Sequence, residues 1–141
     1  MRFWDSSAIV PLVCAEPSSR MTRSWLRRDP VMLVWALAAT EVVSALCRKQ
    51  RQQALDARTY RSAQRRLKKL EVAWNEIVHL EAVRTRAREL LAAHDLRAAD
   101  ALHLAAALVT REQAGTVLEF VTFDQRLAAA AQREGFAVIS E

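Results

Sequence analysis

The sequence predicts an α/β protein in which a mostly parallel sheet of four or five strands is covered by helices. Short apolar segments alternate along the chain with longer segments of helical periodicity, which is typical of parallel strands joined by helical crossovers. The chain contains only two glycines and three prolines, so few turns need a positive φ and helix is favoured. Its 141 residues predict a single domain spanning 1–141.

Five segments have the composition of buried strands. Each contains bulky, apolar or β-branched residues, and each is bounded by residues that form turns or cap helices. From the N-terminus, the predicted strands are 2–5, 31–34, 76–80, 117–122 and 136–139.

Helical periodicity fills the intervals between these strands. Serine at 6 or 7 can cap the first helix, Asp124 can cap the last, and Gly135 can end it. The predicted helices are 7–14, 18–27, 37–53, 55–72, 81–94, 98–110 and 125–134.

The composition is typical of a globular protein, and we expect it in the cytoplasm. No apolar run is long enough to span a bilayer, and the N-terminus lacks the pattern of a secretion signal. Cys14 and Cys47 have no CxxC spacing and are expected to be reduced. The four tryptophans are dispersed along the chain, so we expect them in the core.

Positive charge is concentrated in one part of the chain, residues 48–69, here called the basic window. The net charge is +5, and the window contains nine basic residues against one acid, Asp56. Because the remainder is weakly acidic, a polyanionic partner is expected to bind this window. Its basic residues are Arg48, Lys49, Arg51, Arg58, Arg61, Arg65, Arg66, Lys68 and Lys69.

Four acidic residues stand outside the charged helical surfaces that account for most of the others. Asp5 and Asp124 follow predicted strands, Glu41 lies beside an apolar stripe, and Asp100 interrupts an apolar helix. The first and fourth strands can be neighbours, and the carboxyl ends of parallel strands form one edge, so we expect all four acids in one crevice. Structural alternatives stay open: N-caps at Asp5 and Asp124, a first-turn acid at Glu41, and a buried structural acid at Asp100.

Four neighbouring carboxylates predict a site for a hard divalent cation. Nearby like charges and burial both raise the pKa of a carboxyl group, and Mg²⁺, which prefers oxygen ligands, removes that repulsion. Such a cation neutralises phosphodiester oxygens and lowers the pKa of a bound water, so hydrolysis of a phosphodiester is the expected chemistry. Ser6 and Thr122 can form hydrogen bonds with the site carboxylates.

The histidines are not expected to be metal ligands. His103 lies one turn after Asp100 on the same side of its helix, but a lone histidine in an apolar helix is typical of a core residue. No cysteine or second histidine has the spacing of a zinc site. His79 and His94 are expected to be structural, and Asp95 to cap the helix that follows it.

The four acids lie in the segments WDSSAIVPL, ATEVVSAL, LRAADALHLAAAL and FVTFDQRLAAAAQREGFAVI, in that order. Together these segments resemble the motifs of PIN-domain ribonucleases, and among them the VapC-type toxins of bacterial toxin–antitoxin pairs. The third segment is the most specific, with Asp100 at the position of the family's third acid. The resemblance covers essentially the whole chain.

The resemblance implies a three-layer α/β/α domain that cleaves RNA endonucleolytically with Mg²⁺ or Mn²⁺. It implies that Asp5, Glu41, Asp100 and Asp124 bind the metal and act in catalysis, and we expect Asp5 and Asp100 to be direct ligands. Attack by water would leave a 5′-phosphate and a 3′-hydroxyl. The resemblance also implies a homodimer and a cognate VapB-type antitoxin whose tail enters the site. Three alternatives stay open for the basic window: a solvated charged surface, a track for the RNA backbone, or a contact for the antitoxin.

Two other functions share some of these features. Aspartyl-phosphate enzymes also place an aspartate after the first strand, but they need a second carboxylate two residues later, where Ser7 stands. They also need a lysine near a later strand end, whereas all three lysines lie in the basic window. The other alternative is a catalytically silent PIN-like module that binds RNA or antitoxin. Such a module would be expected to lack a site acid, and all four acids are present.

Overall fold

The computed structural model describes residues 1–140, in which a five-stranded sheet lies between two layers of helices. The strands are β1 (Arg2–Trp4), β2 (Met32–Trp35), β3 (Asn75–Ile77), β4 (Glu119–Val121) and β5 (Ala137–Ile139). The helices are α1 (Ser6–Val13), α2 (Ser19–Arg28), α3 (Ala38–Arg51), α4 (Ala57–Ala73), α5 (Leu80–Ala93), α6 (Ala98–Ala114) and α7 (Gln125–Arg133).

All five strands pair in parallel, in the order β3-β2-β1-β4-β5. Phe3 of the central strand β1 lies opposite Leu33 of β2 and Phe120 of β4. The predicted adjacency of the first and fourth strands is therefore confirmed. The chain leaves β1 and β4 at the same edge of the sheet, where Asp5 and Asp124 follow them.

The two helix layers pack on opposite faces of the sheet. Successive side chains of a strand point to opposite faces. Phe3 accordingly packs in one core with residues of α5, α6 and α7, whereas Trp4 packs in the other core with residues of α1 to α4. The predicted α/β/α arrangement is confirmed, and all four tryptophans are buried. None of the helices within residues 1–140 has the length and hydropathy needed to cross a bilayer.

Some element ends differ from the prediction, for local reasons. Asp5, not a serine, is the N-cap of α1, because its carboxylate accepts the hydrogen bond of the Ser7 N–H. The strand predicted at 76–80 ends at Ile77, since Leu80 already begins α5. Helix α6 continues four residues past its predicted end, up to Gly115, whose φ of +61° stops it.

Candidate active site

A cleft of about 840 Å³ opens at the edge of the sheet where β1 and β4 end. Helices α1 and α3 line it from one layer, and the N-termini of α6 and α7 line it from the other. Glu41, Asp100 and Asp124 line the cleft, and buried Asp5 contacts the lining residues Ser6 and Ser7. The structure therefore brings the four predicted acids together at one place.

Asp5 is 3% exposed and is held by hydrogen bonds from two elements. Its Oδ2 accepts from the Ser7 N–H (3.1 Å), the Ser7 hydroxyl (2.5 Å) and the Thr122 hydroxyl (3.0 Å). Its Oδ1 accepts only a longer bond from the Ser6 hydroxyl, at 3.3 Å, and lies 3.6 Å from Nε2 of His103. Oδ1 is therefore the oxygen of Asp5 with capacity left to bind a cation.

Glu41 lies one turn into α3 and points its Oε2 at the same place. That oxygen accepts a hydrogen bond from the Ser6 hydroxyl at 2.9 Å and lies 3.0 Å from Nε2 of His103. Ser6 thus bonds both Asp5 and Glu41, as expected of a residue that supports the acids. Thr122, the other predicted supporting residue, is fully buried and also accepts a hydrogen bond from the Asp124 N–H at 3.0 Å.

His103 is buried, as predicted, but its imidazole belongs to the acid cluster. Nε2 faces two carboxylates, and Nδ1 has no hydrogen-bond partner among the described residues, so Nε2 carries a hydrogen and donates it to Glu41. Burial alone would lower the pKa of His103, but the charges of Asp5 and Glu41 outweigh burial and raise it above the ordinary value. The sequence feature that could have indicated this role is the position of His103, a polar residue three positions after Asp100 in an otherwise apolar helix.

Asp100 and Asp124 lie at the N-termini of α6 and α7. Asp100, which interrupts the predicted helix 98–110, is the third residue of α6 and therefore lies in its first turn and not in its middle. Burial raises the pKa of the Asp100 carboxyl, and the charges of Asp124 and Asp5 raise it further. Asp124 caps α7, since its Oδ1 accepts from the Leu127 N–H at 2.8 Å, and it also lines the cleft.

The side chains present here fit a hard divalent cation. Asp5, Glu41 and His103 each offer a ligand atom within 4.8 Å of the others. The raised pKa of Asp100 reflects burial and, after it, repulsion by Asp124 and Asp5, and a divalent cation would offset that repulsion. Carboxylate oxygens suit Mg²⁺ and Mn²⁺, and Nε2 of His103 is better placed to donate to Glu41 than to bind such an ion.

Ser7 supports the site although the sequence did not single it out. Its hydroxyl bonds Asp5, lies 3.2 Å from the Thr122 hydroxyl and accepts from the Phe123 N–H at 2.9 Å. These bonds join the turn after β1 to the turn after β4. Two serines follow Asp5 in the sequence, and only the pairing of β1 with β4 shows which one makes this connection.

The structure divides the basic window into separate groups. Arg48 and Lys49 line the cleft, and Lys49 forms an ion pair with Glu16 at 2.6 Å. Arg66 donates to the carbonyl oxygen of Val13 at 3.2 Å. Arg51 and Arg58 are exposed outside the cleft. The remaining four line a shallow groove on the outer face of α4, namely Arg61, Arg65, Lys68 and Lys69.

Comparison with known proteins agrees with this fold. Residues 2–133 match the PIN domain family. Ribonuclease VapC46 of Mycobacterium tuberculosis is 35% identical over 144 residues, which cover 98% of this chain and 95% of that protein.

Solved structures share the fold at lower identity. A toxin–antitoxin complex from Klebsiella pneumoniae superposes with a TM-score of 0.68 at 19% identity, covering 99% of this chain and 96% of that one. Mycobacterium tuberculosis VapC20, a sarcin–ricin loop cleaving toxin, superposes with a TM-score of 0.67 at 21% identity and full coverage of both chains. With a family match over most of its length and a VapC relative at 35% identity, the chain belongs to the PIN domain family and to its VapC-type branch.

Proposed function

We propose that this protein is a metal-dependent endoribonuclease that acts as the toxin of a toxin–antitoxin pair. The observation that carries the proposal is the convergence of Asp5 and Glu41 on His103, with Asp100 and Asp124 lining the same cleft. The VapC-type relatives support RNA as the substrate.

Asp5 and Asp100, expected from the sequence to be the direct ligands, would hold Mg²⁺ or Mn²⁺ together with Glu41, which offers a ligand atom within 4.8 Å of that of Asp5. Asp124 would complete the anionic site directly or through waters. When bound, the cation supplies charge neutralisation at a phosphodiester oxygen and a water of lowered pKa. Hydrogen bonds from Ser7 and Thr122 fix Asp5, while Ser6 and His103 orient Glu41. The expected products are a 5′-phosphate and a 3′-hydroxyl.

The activity is tested by incubating the purified protein with total bacterial RNA and Mg²⁺ and mapping the cut ends by sequencing. Cleavage should stop with EDTA and in Asp5→Asn or Asp100→Asn, because each amide removes a charge from the site at nearly unchanged shape. Glu81→Gln is the matched control, since Glu81 is exposed on α5 outside the cleft. Parent-like cutting by either site variant, or in EDTA, would refute the proposal.

The same experiment decides between the enzyme and the catalytically silent binding module. A silent module would bind RNA or antitoxin but leave RNA intact with either Mg²⁺ or Mn²⁺. The presence of all four acids at the same cleft favours the enzyme.

A VapB-type antitoxin is the proposed protein partner, and the outer face of α4 is its proposed contact. Arg61, Arg65, Lys68 and Lys69 form no ion pair within residues 1–140, and they line the same groove as Val72, which is 86% exposed. A mixture of cations and exposed apolar surface suits an acidic amphipathic peptide better than an RNA backbone.

The double variant Arg65→Gln/Lys69→Gln, which removes two positive charges from this face, should weaken binding of the cognate antitoxin and leave RNA cleavage unchanged. Unchanged antitoxin affinity with weakened RNA cleavage would assign this face to RNA instead.

A homodimer in the cytoplasm completes the proposal. Leu37, Val78 and Leu80 are about half exposed or more and follow β2 and the edge strand β3. Burying this apolar surface against a second copy would be favourable. Light scattering after size exclusion should give twice the monomer mass, and Leu80→Glu should shift it to the monomer.

A further inference from the structure

The cleft has basic side chains on both sides of the acids. The basic window supplies those on one side only. Arg48 and Lys49 line the cleft from α3, whereas Arg97 and Arg126 line it from the starts of α6 and α7. Neither of the last two belongs to a cationic run in the sequence. Both stand out only once the fold places them beside the acids.

The acids lie between these two pairs of cations. Arg48 is seven residues after Glu41 on α3, about 10 Å farther along the helix axis at 1.5 Å per residue. On the other side, Arg97 is the N-cap of α6, three residues before Asp100, and Arg126 is two residues after Asp124. Helix α3 packs on the face of the sheet that buries Trp4, and α6 and α7 pack on the opposite face. The two pairs therefore approach the acids from opposite layers.

The side chains of Arg97 and Arg126 contribute little to the stability of the fold. Arg97 is exposed and forms no ion pair with any residue in 1–140. Arg126 is paired only with Asp95, at 3.8 Å, and the two side chains are 64% and 92% exposed. Ion pairs this exposed contribute little to stability, so both guanidinium groups are available to a ligand in the cleft.

We propose that Arg97 and Arg126 bind the RNA backbone on one side of the cleaved phosphate, while Arg48 binds it on the other. The strand then crosses the cleft from α3 to the N-termini of α6 and α7, with the cleaved phosphate over the acids. This inference rests on the proposed ribonuclease function. Cations on both sides of the proposed metal site match the regular charge of a nucleic-acid strand, and guanidinium groups bind phosphate in a bidentate manner.

The test compares the double variant Arg97→Gln/Arg126→Gln with the parent on a labelled single-stranded RNA that spans a mapped cleavage position. The matched control is Arg84→Gln/Arg88→Gln, which removes the same charge from exposed positions on α5 outside the cleft. KM and kcat are measured across a KCl series. Binding is measured separately by fluorescence anisotropy in an Asp5→Asn background, where turnover is removed.

The double variant should raise KM roughly tenfold or more at low salt and leave kcat within about twofold, because backbone binding is equal in ground and transition states. The slope of log affinity against log salt should fall by about 1.4, since each phosphate contact on a single strand contributes about 0.7. Arg97→Lys/Arg126→Lys should recover most of the slope, because it keeps the charge.

Failure of this inference is distinct from failure of the proposed function. A parent that cuts no RNA overturns both. A parent that cuts RNA, with parent-like KM and salt slope in the double glutamine variant, overturns the inference alone. A loss confined to kcat also overturns it, because the arginines would then act on the reaction and not on backbone binding.

Discussion

At the scale of single residues, the carboxylates of the site also cap helices. Asp5 is the N-cap of α1 and Asp124 is the N-cap of α7, while Asp100 lies in the first turn of α6. A helix cap and a place in the acidic cleft, which the sequence presents as alternatives, coincide because helices begin where the parallel strands end. A carboxylate at a helix N-terminus is stabilised by free N–H groups, which helps the fold to tolerate several negative charges in one cleft.

His103 is the residue whose role changed most between sequence and structure. Replacing it in His103→Leu removes the donor to Glu41, and loss of such an outer hydrogen bond lowers metal affinity or activity about 10- to 100-fold. We expect a higher Mg²⁺ concentration for half-maximal RNA cleavage, read from a metal titration. Exposed His79 supplies the control His79→Leu. Identical titrations for His103→Leu and parent would show that Glu41 does not depend on this contact.

Asp100→Asn should stabilise the protein at neutral pH when divalent cations are removed. Burial and the charges of Asp124 and Asp5 raise the folded-state pKa of Asp100, so the folded protein holds this proton more tightly than the unfolded chain does. The contribution of Asp100 to stability is therefore greatest below its unfolded pKa and is lost as the pH rises through the folded pKa.

In EDTA at pH 7, Asp100→Asn should melt at a higher temperature than the parent, and the difference should shrink as the pH falls toward 4. Thermal unfolding followed by circular dichroism measures the melting temperature at each pH, with Glu81→Gln as the control. A lower melting temperature for Asp100→Asn at pH 7 would contradict the repulsion inferred for the cleft.

At the scale of elements, the sequence predicts which segments are helices and strands better than it predicts where they end. Five strands and seven helices were expected and are present within residues 1–140, since apolar periodicity reports burial along each element. The end of an element depends on which of several polar residues caps the helix, as Asp5 does for α1. It also depends on where the next element begins, as at Leu80, where the start of α5 leaves β3 shorter than predicted.

Helix α4 depends on one cap within a strongly basic sequence. Asp56 accepts the Thr59 N–H at 2.7 Å and is the acid that begins this helix. Asp56→Ala should lower the melting temperature by a few degrees, because a helix loses its N-cap. Asp56→Ser, which retains a capping oxygen, should restore most of it. Equal melting temperatures for Asp56→Ala and parent would show that the rest of the fold holds α4 without its cap.

At the scale of the whole molecule, the features that the sequence did not predict are those that depend on contacts between residues far apart in the chain. The order of the acids and the pairing of β1 with β4 were expected, and the structure places the acids together. Ser7 was missed because its partners follow β4, more than a hundred residues away. Arg97 and Arg126 were missed because charge density along a sequence does not show which isolated cations line a cleft.

The division of the basic window is also a property of the whole molecule. Seven of its nine cations are distributed between the cleft, the carbonyl oxygen of Val13 and the outer face of α4, and the other two are exposed elsewhere. A helix presents its residues in several directions, so one charged segment can serve two surfaces. The sequence therefore predicted a polyanionic partner without distinguishing RNA from antitoxin.

The central claim is that Asp5, Glu41, Asp100 and Asp124 form one site for a hard divalent cation. Calorimetric titration of the RNA-free protein with Mn²⁺ tests it most directly, comparing the parent with Asp5→Asn, Glu41→Gln and the control Glu81→Gln. We predict that the parent and the control bind Mn²⁺ alike and that both site variants bind it much more weakly. Parent-like Mn²⁺ affinity in Asp5→Asn and Glu41→Gln would contradict the claim.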